Sequence, residues 1–525
     1  MKRLHWYGLG CVMLLGLALA ALLVNAHLVP GGDNSTYLVL GQSLATGQGY
    51  RMVSDPRMPE MGLYPPGYPL LLAGLLGITG TAQNLLAAIV PSKLLSVLLY
   101  LVCLVLVWAF FRRRDATLAA MTMLLVAVNT EILHFATEIG TEIPYLMLSL
   151  LCLVCFERYW REPQPRGRRL LWVALCLGLA FYVRSIALVM AVALVLYLLV
   201  RRRFKHALLL ALVVVLLTAP WFVRSSRMPG TGTSVGLGRG YFALYLSSDP
   251  YGTERASLSE LSSRLELNLR TFALQIWPGI LFPHALSAKT WAGHLGIYIA
   301  LAVSLLVILG FLLEIRRGEA TEWYVVLFFA SCVGYIWAQS RLVVPLIPFA
   351  VYYVLRSGDA ILRLLVRKSA SLHRYALALA CGVLLVSSLI STVRQIGRNL
   401  RYGLGHPVAV DYARDPVWGN YLAAMEWIAA HSTSDASVIC RKADLMYVLT
   451  GRKALEYPYS PDPGRLKQAA RDSAVSFVIE DAFLWTPTTV DYLKPALRAW
   501  QASEPGALTL VYETDAPRTY VWRVN

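Results

Sequence analysis

Charge is what this sequence has least of. Only 15% of its 525 residues are Asp, Glu, Lys or Arg, where a soluble globular chain carries about a quarter. An ordinary soluble enzyme is thereby excluded as a description of the whole chain. Acidic residues are scarcest, 31 against 48 Lys and Arg, giving a formal net charge of +17. That excess would suit a nucleic-acid binder. Here, however, the cations sit in the gaps between apolar blocks, where the positive-inside rule puts them, so no nucleic-acid partner is expected. Cysteine supplies no framework either. Seven of the eight thiols, Cys11, Cys103, Cys152, Cys155, Cys176, Cys332 and Cys381, fall inside apolar blocks, and Cys440 stands alone. The Cys152-x-x-Cys155 pair has no second half-site and reads as packing. The nine histidines show no paired metal-ligand spacing. The glycines at 236, 238 and 240 follow no strand, so they make no dinucleotide fingerprint. No Ser/His/Asp arrangement, solenoid repeat or low-complexity tract is present.

What is there is apolar: 57% of the chain, gathered in blocks of about twenty residues, the length that crosses a bilayer core of about 30 Å. Spans are expected at 6–26, 85–111, 117–133, 143–156, 207–223, 291–313, 323–338, 342–355 and 375–390. The block 170–200 is too long for one helix and carries Arg184 in its middle, so it splits there into two more. The apolar run 69–80 is too short to cross and is expected to be re-entrant or interfacial. Met1-Lys2-Arg3 before the first run looks like a signal peptide, but no small-residue cleavage site follows, so a retained first helix is expected. With the N-terminus inside, all six Arg/Lys-rich segments fall on the cytoplasmic side. Eleven spans then put the C-terminus outside, together with loops 27–67 and 224–290. The remainder, from about residue 393, alternates a helical pattern at 421–430 with strand patterns at 437–439, 475–479, 508–512 and 519–523. The expectation is an all-α polytopic membrane protein of about eleven transmembrane helices, residues 1–392, with a small C-terminal α/β extracytoplasmic domain, residues 393–525.

Candidate chemistry lies near the outer ends of the spans. Asp33 either caps a short membrane-surface helix that Gly47 ends, or serves as a carboxylate able to take a proton from an acceptor hydroxyl. The turn from His134 to Tyr145 holds Glu138 and Glu142. Carboxylates at the mouth of a span are costly unless they face a partner or a water-filled cavity. Pro144 suits a first helical turn with Thr141 as cap, which would put Glu142 at the positive helix end. His134, Glu138 and Glu142 are also spaced four apart, so on one unbroken helix they could hold a divalent cation, although Gly140 and Pro144 oppose such a helix. Arg184 and Arg341, with Lys93 as a third cation, could hold an anionic group such as a phosphate; snorkelling to lipid head groups is the plainer reading. Tyr64-Pro65-Pro66-Gly67-Tyr68-Pro69 is a stiff, extended approach to the membrane.

In this order, these residues resemble the membrane-embedded glycosyltransferases of the C superfamily (GT-C), in particular the protein O-mannosyltransferase and aminoarabinose lipid A transferase group, families 39 and 83. The resemblance covers residues 1–390. It rests on Gly32-Asp33, Pro65-Pro66-Gly67-Tyr68-Pro69, Thr141-Glu142-Ile143-Pro144, Tyr182-Val183-Arg184 and the run Arg341, Pro345, Pro348. Where many relatives carry Asp-Glu, this chain has Asp33-Asn34. The resemblance implies inverting transfer from a polyprenyl-phosphate sugar donor to a glycan, lipid or protein acceptor on the outer face of the cytoplasmic membrane. It implies Asp33 as general base. Glu142, with Glu138, would orient a substrate or bind an ion, and Arg184, Arg341 and Lys93 would neutralise the departing lipid phosphate. Tyr64 stands among the substrate-binding candidates. Two other readings compete. A lipid or solute transporter would bind at the bilayer midplane between pseudo-symmetric halves, and neither trait is evident here. A non-catalytic envelope assembly factor would depend on the C-terminal domain and not on Asp33 or Glu142.

Overall fold

The computed structural model describes residues 2–162, 167–228, 244–248, 255–283, 294–366 and 369–525. The glycines at 236–240 lie outside these residues, as does the expected start of a span at 291. The protein is a mostly helical, polytopic membrane protein with a small C-terminal sheet. Each expected span coincides with a helix or a broken pair. In chain order these are Lys2–Leu23, Leu85–Phe111, Ala116–Val128 with Thr130–Ala136, Glu142–Trp160, Gly167–Val183, Ala187–Val200, Phe204–Ser226, His294–Ile315, Ala320–Gly334, Ser340–Val343 leading into Ile347–Leu365, and Ala370–Tyr402. Among the described residues six helices are long and apolar enough to cross a membrane, or seven if the pair bent by 59° counts as one span. The helices Ala187–Val200 and Ala320–Gly334 are shorter than a full crossing.

Several boundaries depart from expectation for local reasons. The span expected at 117–133 breaks at Asn129, whose backbone turns extended and whose side chain accepts from the Ile132 N–H to start the next helix. Capping side chains compete in this way with helix continuation. The segment expected as a loop at 224–290 holds a helix, Leu258–Thr271, opened by a Ser257/Glu260 capping box; that S-x-x-E signature was present in the sequence. The last helix runs 33 residues, about 50 Å at 1.5 Å per residue, and so continues well past the expected 390. The helix Ile347–Leu365 likewise passes the expected end at 355, and the charges beyond that point are paired. Arg356 bonds Glu314 at 3.1 Å and Asp359 at 3.0 Å.

The chain divides into two compact units. One comprises Met1–Val24, Lys93–Phe222 and Ala256–Arg401; the other comprises Asn25–Ser92, Val223–Arg255 and Tyr402–Asn525. The helical unit packs around buried aromatics, with Phe111 and Tyr352 stacked at 4.5 Å. At Gly310 the helix His294–Ile315 lies so close to the helix Ile347–Leu365 that any side chain would overlap the Tyr353 carbonyl. Arg114, read from sequence as one of a run of surface cations, is only 1% exposed and bonds Glu314, Glu319 and Glu322 at 3.2, 2.5 and 2.9 Å. Removing one side of such a buried pair costs about 3–5 kcal/mol.

In the second unit the helices Asn34–Ala45 and Gly67–Thr79 pack on each other where Gly41 admits the Leu72 side chain. The five strands are β1 Ser437–Ile439, β2 Lys453–Leu455, β3 Val475–Glu480, β4 Leu508–Glu513 and β5 Tyr520–Val524, in the order β2-β1-β3-β5-β4. β1 is parallel to β2 and β3, while β5 is antiparallel to β3 and β4. Four of the strands stand where the sequence pattern put them. β2, three residues opened by a lysine, was not expected. The helix Ala443–Thr450 crosses from β1 to β2, Pro463–Asp472 from β2 to β3, and Lys494–Ser503 lies between β3 and β4. A core of Ile439, Leu455, Tyr457, Val478, Leu497 and Trp500 fills one face of the sheet.

Candidate functional site

In the helical unit the candidate residues converge on Glu142. Its helix starts there, with Thr141 at the cap position making no side-chain cap bond. Pro144 is fixed within the first turn, where no helical N–H is needed. The Glu142 carboxylate is buried, and its Oε1 receives two guanidiniums. Arg184 donates through Nη1 at 2.7 Å; Arg341 donates through Nε at 3.0 Å and approaches through Nη2 at 2.9 Å. A Cβ at position 140 would lie 2.5 Å from Glu142 Oε2, so the glycine leaves room for the carboxylate. Arg184 sits in the break between the helices Gly167–Val183 and Ala187–Val200, and Arg341 in the short turn Ser340–Val343 ahead of Pro345 and Pro348. Both arginines therefore point to a carboxylate, and the snorkelling reading fails for them. Two guanidiniums brought to one buried carboxylate oxygen form a cluster of donors of the kind that also holds an anion.

Lys93 and Glu138 form a separate pair. The lysine is fully buried and its Nζ lies 3.2 Å from Glu138 Oε1. Ser96 donates to the Glu138 carbonyl at 2.9 Å and holds the turn that carries it. The expected metal triplet is not assembled. His134 lies on the helix Thr130–Ala136, against the Phe135 ring, Glu138 on the turn that follows, and Glu142 on the next helix. The chain breaks between them as Gly140 and Pro144 require, and the two carboxylates go to different cations. Among the described residues no group of three or more His, Cys, Asp or Glu side chains could hold a metal ion.

In the second unit Asp33 precedes the helix Asn34–Ala45 but makes no side-chain cap bond. Its Oδ1 instead accepts from the Tyr64 hydroxyl at 3.2 Å. Tyr64 is itself placed by Tyr50, whose hydroxyl donates to the Tyr64 carbonyl at 2.7 Å, and by the edge of Tyr37 at 5.4 Å. The helix expected on the membrane surface is buried along most of its length and packs against Gly67–Thr79 and Ala443–Thr450. Gly47 does close it, with φ of +72°.

Sequence reasoning missed the residues that follow β1. Asp444 accepts from Thr36 at 2.6 Å and from Ser54 at 2.7 Å. Burial raises its pKa against those two bonds. Burial lowers the Lys442 ammonium, opposed by the Asp33 and Glu456 carboxylates. Burial pushes Glu456 up to about 7, opposed chiefly by Lys442. Arg441, 5% exposed, donates to the Tyr457 hydroxyl at 2.7 Å and to Thr486 and Thr488. One signal could have found these residues: two consecutive cations one residue past the carboxyl end of a strand, the end at which α/β folds bind ligands.

The model of the family described as dolichyl-phosphate-mannose-protein mannosyltransferase matches residues 64–223. That stretch contains Tyr64, Lys93, Glu138, Glu142 and Arg184. No curated protein matches the chain in sequence. Among solved structures, the archaeal oligosaccharyltransferase AglB from Archaeoglobus fulgidus, in complex with an inhibitory peptide and a dolichol-phosphate, shares the fold with a TM-score of 0.58 at 12% identity, over 91% of this chain and 69% of that one. ArnT from Cupriavidus metallidurans in the apo state matches over 100% of this chain and 98% of its own, with a TM-score of 0.55 at 14% identity. The same protein bound to undecaprenyl phosphate matches with a TM-score of 0.51 at 13% identity, over 98% and 97%. By fold, then, the chain is similar to these membrane glycosyltransferase structures.

Proposed function

We propose that the chain is a glycosyltransferase of the cytoplasmic membrane, N-terminus inside and sheet domain outside, that moves a sugar from a polyprenyl-phosphate donor to an acceptor hydroxyl with inversion. The observation that carries this reading is the guanidinium cluster at Glu142, where one buried carboxylate oxygen holds Arg184 and Arg341. Glu142 and Arg184 lie in the stretch matched by the mannosyltransferase family. A neighbour of the same fold binds undecaprenyl phosphate, which supports a lipid-phosphate donor here.

The proposed step balances simply. Asp33 takes the proton from the acceptor hydroxyl. The freed oxygen forms a bond to the anomeric carbon as the bond from that carbon to the phosphate oxygen breaks. The lipid phosphate leaves with the electron pair, and Arg184 and Arg341 stabilise its charge. A preorganised donor to a developing anion is worth about 3–4 kcal/mol in barrier height. Glu142 aims the two arginines, and Tyr64 orients the Asp33 carboxylate. Lys93 is kept by Glu138 as a buried pair that fixes the turn before Glu142. No step calls for a divalent cation.

The test is incubation of the purified full chain with a membrane-derived acceptor extract and radiolabelled polyprenyl-phosphate hexoses and pentoses in turn. Release of free polyprenyl phosphate from one of them is expected. Intact donors throughout, from protein that melts cooperatively, would favour the transporter or assembly reading.

A further inference from the structure

The sheet has a topological switch point of its own. β1 lies between β2 and β3, and the connections leaving β1 and β3 run in opposite directions along the sheet, to β2 and to β4. The helix Ala443–Thr450 packs with Pro416–His431, whereas Pro463–Asp472 packs with Lys494–Ser503. This is the topological switch point at which open α/β sheets bind ligands, outside the carboxyl ends of the strands. Arg441 and Lys442 follow β1, and Asp481, Trp485 and Thr486 follow β3. These side chains meet. Arg441 Cζ lies 4.6 Å and Lys442 Nζ 5.5 Å from the centre of the Trp485 ring, and Arg441 donates to Thr486. Trp485 nevertheless keeps 52% of its surface exposed, and its neighbour Leu484 keeps 85%. An exposed indole costs the chain hydration and contributes nothing to the core, so it suits an occupant that covers it.

The same switch point adjoins Asp33. Asp33 and Lys442 each stand immediately before a helix, Asn34–Ala45 and Ala443–Thr450. Those helices pack together, and the Thr36–Asp444 bond of 2.6 Å ties their first turns. Ser54 bonds the other oxygen of Asp444 at 2.7 Å, so the juxtaposition is clamped from two sides.

The charges select the ligand. Three cations, Arg441, Lys442 and Lys494, stand among four carboxylates, Asp33, Asp444, Glu456 and Asp481, and burial raises the last three toward the neutral form. A cluster so balanced selects no strongly charged ligand. Mixed donors and acceptors beside an apolar ring suit a neutral polyhydroxylated molecule, which offers hydroxyls to the charged groups and C–H bonds to the aromatic face. The geometry points to a saccharide site at the β1–β3 switch point, where Trp485 and Lys442 hold a neutral glycan with a hydroxyl toward Asp33. The acceptor of the proposed transfer would then be a sugar chain and not a protein side chain. That identification rests on the glycosyltransferase reading; the binding itself does not.

The experiment is saturation-transfer NMR on the full chain in detergent. The probes are methyl glycosides and disaccharides of glucose, galactose, mannose, arabinose and N-acetylglucosamine. It is repeated for Trp485→Ala, Trp485→Phe and Lys442→Met, with retention of radiolabelled undecaprenyl phosphate measured on each preparation. At least one saccharide should bind the native chain, about tenfold more weakly to Trp485→Ala and with substantial recovery in Trp485→Phe. Lipid-phosphate retention should stay unchanged. No saccharide binding, binding indifferent to both Trp485 variants, or a Trp485→Ala effect confined to association with lipid vesicles would overturn the inference. Loss of undecaprenyl phosphate binding by the native chain, with saccharide binding intact, would instead remove the donor reading and leave the glycan site standing.

Discussion

Two charged clusters are built on opposite plans. In the helical unit one buried carboxylate, Glu142, is shared by two guanidiniums. In the sheet-bearing unit three cations stand among four carboxylates, three of them raised by burial, and an exposed indole lies against two of the cations. The first arrangement offers paired guanidinium donors to an anion. The second favours neither sign of charge and offers a stacking surface. Each cluster also fixes its own geometry, the first by sharing one oxygen, the second by the hydrogen bonds that lock Asp444 between Thr36 and Ser54. The contrast is what two substrates of different charge, a lipid phosphate and a polyol, would demand.

That contrast can be broken at several points. The largest effect is expected from Lys93→Ala, which leaves Glu138 as a buried, uncompensated carboxylate. A loss of about 3–5 kcal/mol should appear as a lower melting temperature. The double variant Lys93→Met with Glu138→Gln should recover most of it, because it marks the pair as structural beside the anion site. Next, Arg341→Ala should slow sugar transfer about 100-fold, close to 2.7 kcal/mol, with little change in melting because its side chain is 30% exposed. A slope of transfer rate against salt left unchanged would argue against an anion there.

A smaller effect tests the cluster in the sheet-bearing unit. Burial raises Glu456 from 4.5 to about 7 in the folded chain. Between those values the folded state binds more protons than the unfolded one, so stability is highest at low pH and falls as pH rises through that window. After screening, the fall should be about 1–2 kcal/mol. Glu456→Gln should reduce the difference between melts at pH 5 and pH 8. It should not remove it, because Asp444 and Asp481 are raised in the same direction. A native chain that gains stability over this range would contradict the burial of these carboxylates. The smallest change is expected from Tyr64→Phe. Losing one hydrogen bond of 3.2 Å to Asp33 should cost about 1 kcal/mol, roughly fivefold in rate, and should alter the pH profile of transfer more than donor affinity.

The helical architecture was legible because lipid imposes one rule, about twenty apolar residues per crossing, which six of the described helices, or seven with the bent pair, satisfy. Arg184 marked a helix break for the same reason, since a charge within an apolar block needs an exit or a partner. Its partner, Glu142, could be named as a candidate from its place beside Pro144, but the shared oxygen could not be read, because the two arginines are 157 positions apart in the chain. The broken third span was hidden because Asn129 is an acceptable residue in a helix until its side chain caps the next one. Charge misled in the other direction at Arg114, which belongs to a basic run closing an apolar block and instead pairs in a buried network. In the tail the strands were visible from β-branched runs, save β2. The switch point was not visible, because it depends on strand order, and order is fixed by pairing between distant segments. The sequence left Asp33 open between a helix cap and a base; it makes no side-chain cap bond, and its neighbours from the tail were out of reach of any local pattern.

The most direct measurement is the transfer rate of Asp33→Asn against the native chain, with the same donor and membrane-derived acceptor. The change keeps the shape and the contact with Tyr64 while removing the base. A loss of about 100-fold or more is expected, with undecaprenyl phosphate binding and melting temperature preserved. A variant that transfers at the native rate would contradict Asp33 as the base.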